Sequence, residues 1–70
     1  MTPSQERALF KIKADRFGVK ASTINTTVEQ IGRHVSVELR YEVNHPEFGS
    51  SLALDSRWTI GPSGKIERTA

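Results

Sequence analysis

Apolar and polar residues alternate along residues 34–43, and this alternation constrains the fold more than any other feature of the sequence. Every second residue is apolar and the residues between are polar or charged; the apolar set is Val35, Val37, Leu39, Tyr41 and Val43. Side chains that alternate in this way lie on opposite faces of a β-strand, with one face buried and the other in water. The pattern predicts a half-buried strand of an antiparallel sheet.

Two further stretches fit strands beside the first. Apolar residues recur at even positions over 51–60, which predicts a second strand; they are Leu52, Leu54, Trp58 and Ile60. A Gly-Pro-Ser-Gly turn at 61–64 then predicts a short strand over 65–69. Residues 22–31 are ambiguous, because Ile24, Val28 and Ile31 have helical spacing while the β-branched content favours a strand over about 22–30.

Strand pairing separates the two interpretations of residues 22–31. A two-residue turn at Ile31 and Gly32 places apolar residues opposite each other in a strand; the pairs are Val28 with Val35 and Ile24 with Leu39. Across the loop at 44–50 the predicted inner pairs are Val43 with Leu52, Tyr41 with Leu54, Val37 with Trp58, and Val35 with Ile60. The predicted outer pairs are Arg40 with Asp55 and Glu38 with Arg57. A one-residue slip would exchange the faces, so this agreement favours a strand.

The first residues carry the start and stop signals of a helix. Thr2 and Gln5 form a capping box around Pro3, which suits the first helical position. Gly18 stands where a helix-ending glycine is expected, followed by apolar Val19. We expect a helix over residues 3–17 that packs on the sheet; its apolar residues are Leu9, Phe10, Ile12, Ala14 and Phe17.

The composition fits one small domain. The 70 residues are expected to form a single α+β domain, 1–70, with an N-terminal helix packed on a three- to four-stranded antiparallel meander. The absence of cysteine excludes disulfides and thiolate metal sites, and two histidines cannot by themselves complete a zinc site, so no metal or cofactor is expected. With no signal peptide and no long apolar run, we expect an intracellular, cytoplasmic protein that does not enter a membrane.

Residues 14–24 resemble the helix-turn-helix pattern of DNA-binding proteins. The pattern has a small residue, then apolar residues on both sides of a turn glycine; Ala14, Phe17, Gly18, Val19 and Ile24 match it. The resemblance implies two helices that cross closely, with a β-hairpin wing. DNA would be contacted by four residues, Lys20, Ser22, Thr23 and Asn25. Residues 22–31 contain no arginine or lysine, although contacts to bases and phosphates usually need them, so DNA binding is the alternative function.

No motif points to catalysis. The sequence at 45–47 places His45 beside Glu47, but acid–base chemistry needs convergent groups in a sheltered pocket, and a solvated loop is expected here. Arg7 and Lys11 form a short basic stripe, which suits the exposed side of an amphipathic helix. We therefore expect that the chain is not an enzyme.

The predicted sheet has more apolar surface than one helix covers. A helix is roughly 10 Å wide, whereas four strands span about 19 Å. Apolar surface left in water is unusual on a monomer, so we expect it to meet a second copy in a homodimer or a partner protein. The residues predicted for this contact are Tyr41, Val43, Phe48, Leu52 and Leu54. The sequence thus predicts a non-catalytic protein-interaction module: a regulator, inhibitor or assembly component, of a kind common in phages and mobile elements.

Overall fold

A computed structural model describes residues 1–17 and 24–70 of the chain. An N-terminal helix, α1 (Pro3–Phe17), precedes the strands β1 (Ile24–Ile31), β2 (His34–His45), β3 (Gly49–Ile60) and β4 (Ile66–Arg68). The strands form an antiparallel sheet in the order β1-β2-β3-β4, and α1 packs on one face of it. The predicted α+β layout is confirmed. The predicted helix stop at Gly18 and Val19 lies outside the described residues.

The start of α1 is the predicted capping box. The backbone N–H of Gln5 donates to Thr2 Oγ1 at 3.1 Å, and the backbone N–H of Thr2 donates to Gln5 Oε1 at 2.9 Å. The Gln5 side chain is buried, and its Nε2 donates to the carbonyl oxygens of Arg33 and Ile60 at 2.7 and 3.4 Å. One side chain therefore caps the helix and ties it to the sheet.

The turn between β3 and β4 packs closely against the same end of α1. Thr2 Oγ1 donates to the carbonyl oxygen of Pro62 at 3.2 Å. Gly64 has φ +91°, and a Cβ on it would lie 3.0 Å from the carbonyl oxygen of Ser4. Glycine is needed here both for the backbone conformation and for the close approach of the turn to the helix.

The turn between β1 and β2 lies one residue later than predicted. Ile31 pairs with His34, so Gly32 and Arg33 form the turn, and Val28 lies opposite Val37 instead of Val35. The predicted turn at Ile31 and Gly32 was wrong because a β-branched residue resists positive φ. Gly32, with φ +58°, takes the first turn position. The register moves by two residues, so every side chain of β1 keeps its predicted face.

The pairing of β2 with β3 is as predicted only at the end of the sheet nearest α1. Val35 lies opposite Ile60 and Val37 opposite Trp58, as expected. Between Leu39 and Arg40 the register shifts, because Asp55 is an extra residue of β3 that the ladder skips. Arg40 therefore lies opposite Leu54, and the predicted pairing of Arg40 with Asp55 was wrong. The predicted pairs of Tyr41 with Leu54 and of Val43 with Leu52 were wrong for the same reason.

The core lies between α1 and the near half of the sheet. Its buried apolar residues are Ala8, Ile12, Val35, Val37, Leu39 and Ile60, and Leu9, Ile24, Trp58 and Ile66 pack around them. Phe10, which was expected to pack on the sheet, is 74% exposed, and Ala14 is also exposed. The helix faces the sheet with positions 5, 8, 9 and 12, and the 3.6-residue period puts residue 10 on the far side.

Candidate protein-binding surface

Beyond the core, the sheet narrows to a two-stranded hairpin. Within the described residues, β1 follows β2 only as far as Tyr41, which lies opposite Ile24. Residues 42–54, named the arm, include no buried residue; Val43 and Ala53 are half-buried and the others are exposed. The arm contributes to an elongated molecule of 44 × 24 × 16 Å.

The bulge at Asp55 decides which face of the arm is apolar. Leu54 lies opposite Arg40 and Leu52 opposite Glu42, whose side chains lie on the face away from α1. Leu52 and Leu54 therefore share that outer face, where they are 55% and 40% exposed. A regular strand would have turned both leucines toward the helix side. The extra residue thus keeps two large apolar side chains in water.

The five residues predicted to form an interface do not share a surface. Tyr41 and Val43 are half-buried on the helix side of the sheet, opposite Ala53 and Ser51. Leu52 and Leu54 lie on the other side, and the position of Phe48 is in the turn at the tip. The expectation of one uncovered inner face is therefore corrected to an exposed outer face on the arm.

A short chain of hydrogen bonds holds the bulge. The hydroxyl of buried Ser56 donates to Asp55 Oδ2 at 3.1 Å and accepts from Trp58 Nε1 at 2.8 Å. The guanidinium carbon of Arg68 lies 5.4 Å from the centroid of the Trp58 ring, within the range of a cation–π contact. The sequence analysis missed this cluster, because the sequence Asp-Ser-Arg-Trp at 55–58 contains no residue type or pattern that predicts a bulge.

The tip of the arm is a three-residue turn at 46–48, closed by the pair His45 and Gly49. Gly49 has φ +79°, and Phe48 beside it is 85% exposed. His45 Nε2 lies 3.1 Å from Ser51 Oγ, and residues 45–48 line an open concavity of about 200 Å³. The tip of the arm thus exposes a further apolar side chain.

The β3 edge of the arm has no partner among the described strands. β4 pairs with β3 only over Trp58 to Ile60, and the chain after β4 adds hydrogen bonds with Arg57. No described strand pairs with this side of β3 over residues 49–56. Leu52 and Leu54 thus lie next to a row of backbone N–H and C=O groups that another strand can pair with.

The arm is acidic. Residues 42–55 contain Glu42, Glu47 and Asp55 but no lysine or arginine. The helix has the opposite charge, and Arg7 and Lys11 line an open groove of about 270 Å³ beside Ser63 and the β3–β4 turn. A partner of the arm would therefore meet negative charge.

The outer face near the core carries ion pairs, of which the pair of Glu38 with Arg57 was predicted. Glu38 pairs with Arg57 at 3.4 Å and with Arg40 at 2.5 Å. All three side chains keep part of their surface in water, so these pairs contribute little to stability. Both arginines are thereby engaged by the carboxylate of Glu38.

The structure removes the second helix of the helix-turn-helix alternative. Residues 24–31 form strand β1, and Asn25 lies opposite Arg40 in the sheet. The other three residues predicted to contact DNA, Lys20, Ser22 and Thr23, lie outside the described residues. A recognition helix over residues 22–31 was therefore a wrong interpretation of the spacing of Ile24, Val28 and Ile31.

Residues 1–17 and 24–70 contain no cluster of three histidine or acidic side chains that could hold a metal ion. Within the same residues, no helix has the length and hydropathy to cross a membrane. No protein-family model matches the chain, and neither curated proteins nor solved structures give a significant match. A proposed function therefore has to come from the chain's own geometry.

Proposed function

We propose that the chain is a non-catalytic protein-interaction module, a regulator, inhibitor or assembly component, that binds an extended segment of a partner along β3 of the arm. One observation carries this proposal. Leu52 and Leu54 are exposed side by side on β3, and the adjoining backbone edge of that strand has no partner among the described strands.

An open edge with neighbouring apolar side chains suits recognition by strand addition. In this mode the main-chain hydrogen bonds supply affinity, and alternate side chains of the added strand supply specificity. Residues 49–56 offer about 27 Å of strand, from eight residues at roughly 3.4 Å each. Leu52 and Leu54, two residues apart, face alternate side chains of an added strand on the outer face.

The charge of the arm selects the partner's chemistry. With histidine counted as uncharged, its only charged residues are Glu42 and Glu47, and Asp55 follows it directly in the sequence. A segment that combines apolar residues with lysine or arginine would match both the leucines and the carboxylates. An acidic segment would be repelled, so the partner is expected to be apolar and basic.

The size of the apolar contribution follows from the exposed fractions. Leu52 and Leu54 are 55% and 40% exposed. Full burial of a leucine is worth about 1.5–3 kcal/mol, so burying the exposed part of both adds roughly 2 kcal/mol. This corresponds to about a thirtyfold change in affinity.

The test compares two double variants that replace pairs of apolar residues with nearly the same total exposure in the wild type. Peptides are first selected from a displayed library against the wild-type chain and then measured against Leu52→Thr/Leu54→Thr and Val28→Thr/Ile31→Thr. Val28 and Ile31 are 38% and 56% exposed and lie on β1, so they are matched controls. We expect basic, apolar peptides that lose at least tenfold affinity for the arm variant only. Peptides that bind the arm variant as tightly as the wild type would overturn the proposal.

A further inference from the structure

The opposite edge of the sheet, along β1, is long and exposed. In the described part of the chain, β1 pairs only with β2, and its other side has no strand. From Thr27 to Ile31 every residue is exposed, and Val28 and Ile31 are 38% and 56% exposed. This edge is separate from the arm and is not explained by the proposed function.

The β1 edge lacks the features that usually prevent strands from pairing. Monomeric proteins protect edges with lysine, proline, bulges or very short strands. β1 has eight residues, INTTVEQI, with no proline or lysine, an unbroken register with β2, and one charge, at Glu29. The edge strand β4 has three residues, two of them charged. Unlike β4, β1 therefore has the length and composition of an edge strand that pairs with a strand of another molecule.

The turn determines which residues of β1 offer their backbone groups. The two-residue turn closes on the pair Ile31 and His34. Such a turn closes on a hydrogen-bonded pair, and hydrogen-bonded pairs alternate along an antiparallel ladder. The odd-numbered residues of β1 therefore bond to β2. The even-numbered residues, Ile24, Thr26, Val28 and Gln30, direct their N–H and C=O groups outward.

These outward groups are self-complementary in a single register. We propose that two copies of the chain pair antiparallel through β1, with the two-fold axis at Thr27. In that register Ile24 lies opposite Gln30 of the second copy, and Thr26 lies opposite its Val28. All four outward residues of each copy then form hydrogen-bonded pairs. Moving the axis to residue 26 or 28 leaves one of the four without its counterpart within residues 24–31.

The side chains agree with this register. Glu29 lies opposite Asn25 of the second copy, so the only charge of the strand does not face its own copy. Thr27 lies opposite Thr27, a pairing that β-sheets favour. The two-fold axis is perpendicular to the sheet, so both helices lie on the same face of a continuous eight-stranded sheet. The two arms then point in opposite directions and stay free.

Single cysteine variants test both the pairing and its register, because the chain contains no cysteine of its own. In a non-hydrogen-bonded pair the two Cα atoms at Thr27 lie about 4.5 Å apart, within the range of a disulfide. The two Glu29 residues are offset by four residues, roughly 13 Å along the strands, which is too far. Thr27→Cys is therefore the test variant and Glu29→Cys the matched control.

We expect Thr27→Cys to form a disulfide-linked dimer under mild oxidation at micromolar concentration, while Glu29→Cys forms no disulfide. The unmodified chain is expected to show a concentration-dependent monomer–dimer equilibrium by sedimentation. Equal cross-linking of both variants, or a chain that sediments as a monomer at all concentrations, would overturn the proposal. Faster cross-linking at position 29 would overturn the register.

A second pair of variants covers the case in which the cysteine variant does not fold. Thr27→Lys and Thr27→Glu each place like charges at the axis, so each alone is expected to be monomeric, and their mixture is expected to dimerise. A mixture that stays monomeric would contradict pairing at Thr27. The variant Leu52→Thr/Leu54→Thr should still dimerise, which separates a failure here from a failure of the proposed partner binding.

Discussion

Replacing Gln5 with methionine is expected to destabilise the fold far more than its place near the N-terminus suggests. The Gln5 side chain is only 1% exposed. Its Oε1 accepts from the Thr2 N–H, and its Nε2 donates to the carbonyl oxygens of Arg33 and Ile60. Methionine keeps the length and the helix propensity of glutamine but makes none of these bonds.

The magnitude follows from these three hydrogen bonds. Each is worth about 1 kcal/mol net, so their loss costs roughly 3 kcal/mol. The greater apolar surface of a buried methionine offsets about 1 kcal/mol of this. The expected loss is therefore about 2 kcal/mol, a large share of the roughly 4–10 kcal/mol typical for a chain of this length. The melting temperature should fall by about 8–16 °C.

Urea unfolding followed by the fluorescence of Trp58, the only tryptophan, measures this change. Thr2→Val is the control, because it removes the hydroxyl cap and the exposed bond of that hydroxyl to Pro62 but keeps the Gln5 bonds to Arg33 and Ile60. The control is expected to cost about 1 kcal/mol. An unfolding free energy for Gln5→Met equal to that of the wild type or of the control would refute the reasoning.

Gln5→Glu adds a pH signature at the same site. A carboxylate there would be buried and would face two carbonyl oxygens, which raises its pKa above the usual value of about 4.3. The favourable interaction of a carboxylate with the helix N-terminus is worth up to about 2 kcal/mol, less than the cost of burying its charge against two carbonyl oxygens. With the folded pKa raised, stability relative to the wild type is highest below pH 4.3 and falls as pH rises through the folded pKa. A constant difference from the wild type between pH 3 and 8, roughly the range that spans both values, would contradict this.

Two further comparisons use matched variants. Gly64→Ala should lower the unfolding free energy by about 2–3 kcal/mol and Gly49→Ala by about 1 kcal/mol. Both glycines have positive φ, but only a Cβ on Gly64 would approach the Ser4 carbonyl oxygen, at 3.0 Å. Equal losses would contradict the close packing of the β3–β4 turn on the helix. Leu39→Ala should cost about 2–5 kcal/mol, because Leu39 is fully buried. Leu52→Ala should cost about 1 kcal/mol or less, and a loss as large as that of Leu39→Ala would show that Leu52 lies in the core.

The features that depend on neighbours in sequence were predictable. The capping box of Thr2 and Gln5 is local, and the alternation along β2 identifies a strand without knowledge of its partners. The turn after β1 was misplaced by one residue, because pairing apolar residues across the strands appeared consistent with Ile31 in the turn. The conformational requirement for glycine at the first turn position was the stronger constraint.

The bulge could not be predicted from alternation. Leu52, Leu54, Trp58 and Ile60 are all even-numbered, so a period of two places them on one face. Asp55 adds one residue to β3 and reverses the parity of everything before it. Sequence reasoning therefore found the residues of the candidate surface but assigned the leucines to the wrong face. The predicted meander already placed β1 at an edge, but the misplaced turn assigned the outward backbone groups to the wrong residues of the strand.

The central claim is that the bulge at Asp55 holds Leu52 and Leu54 on the face away from the helix. Cross-strand nuclear Overhauser effects between backbone protons of β2 and β3 test this most directly, because closely opposed pairs give the strongest signals. The structure predicts contacts of Arg40 with Leu54 and of Tyr41 with Ala53. Contacts of Tyr41 with Leu54 and of Val43 with Leu52 would show a regular strand, and would contradict both the outer apolar surface and the function proposed for it.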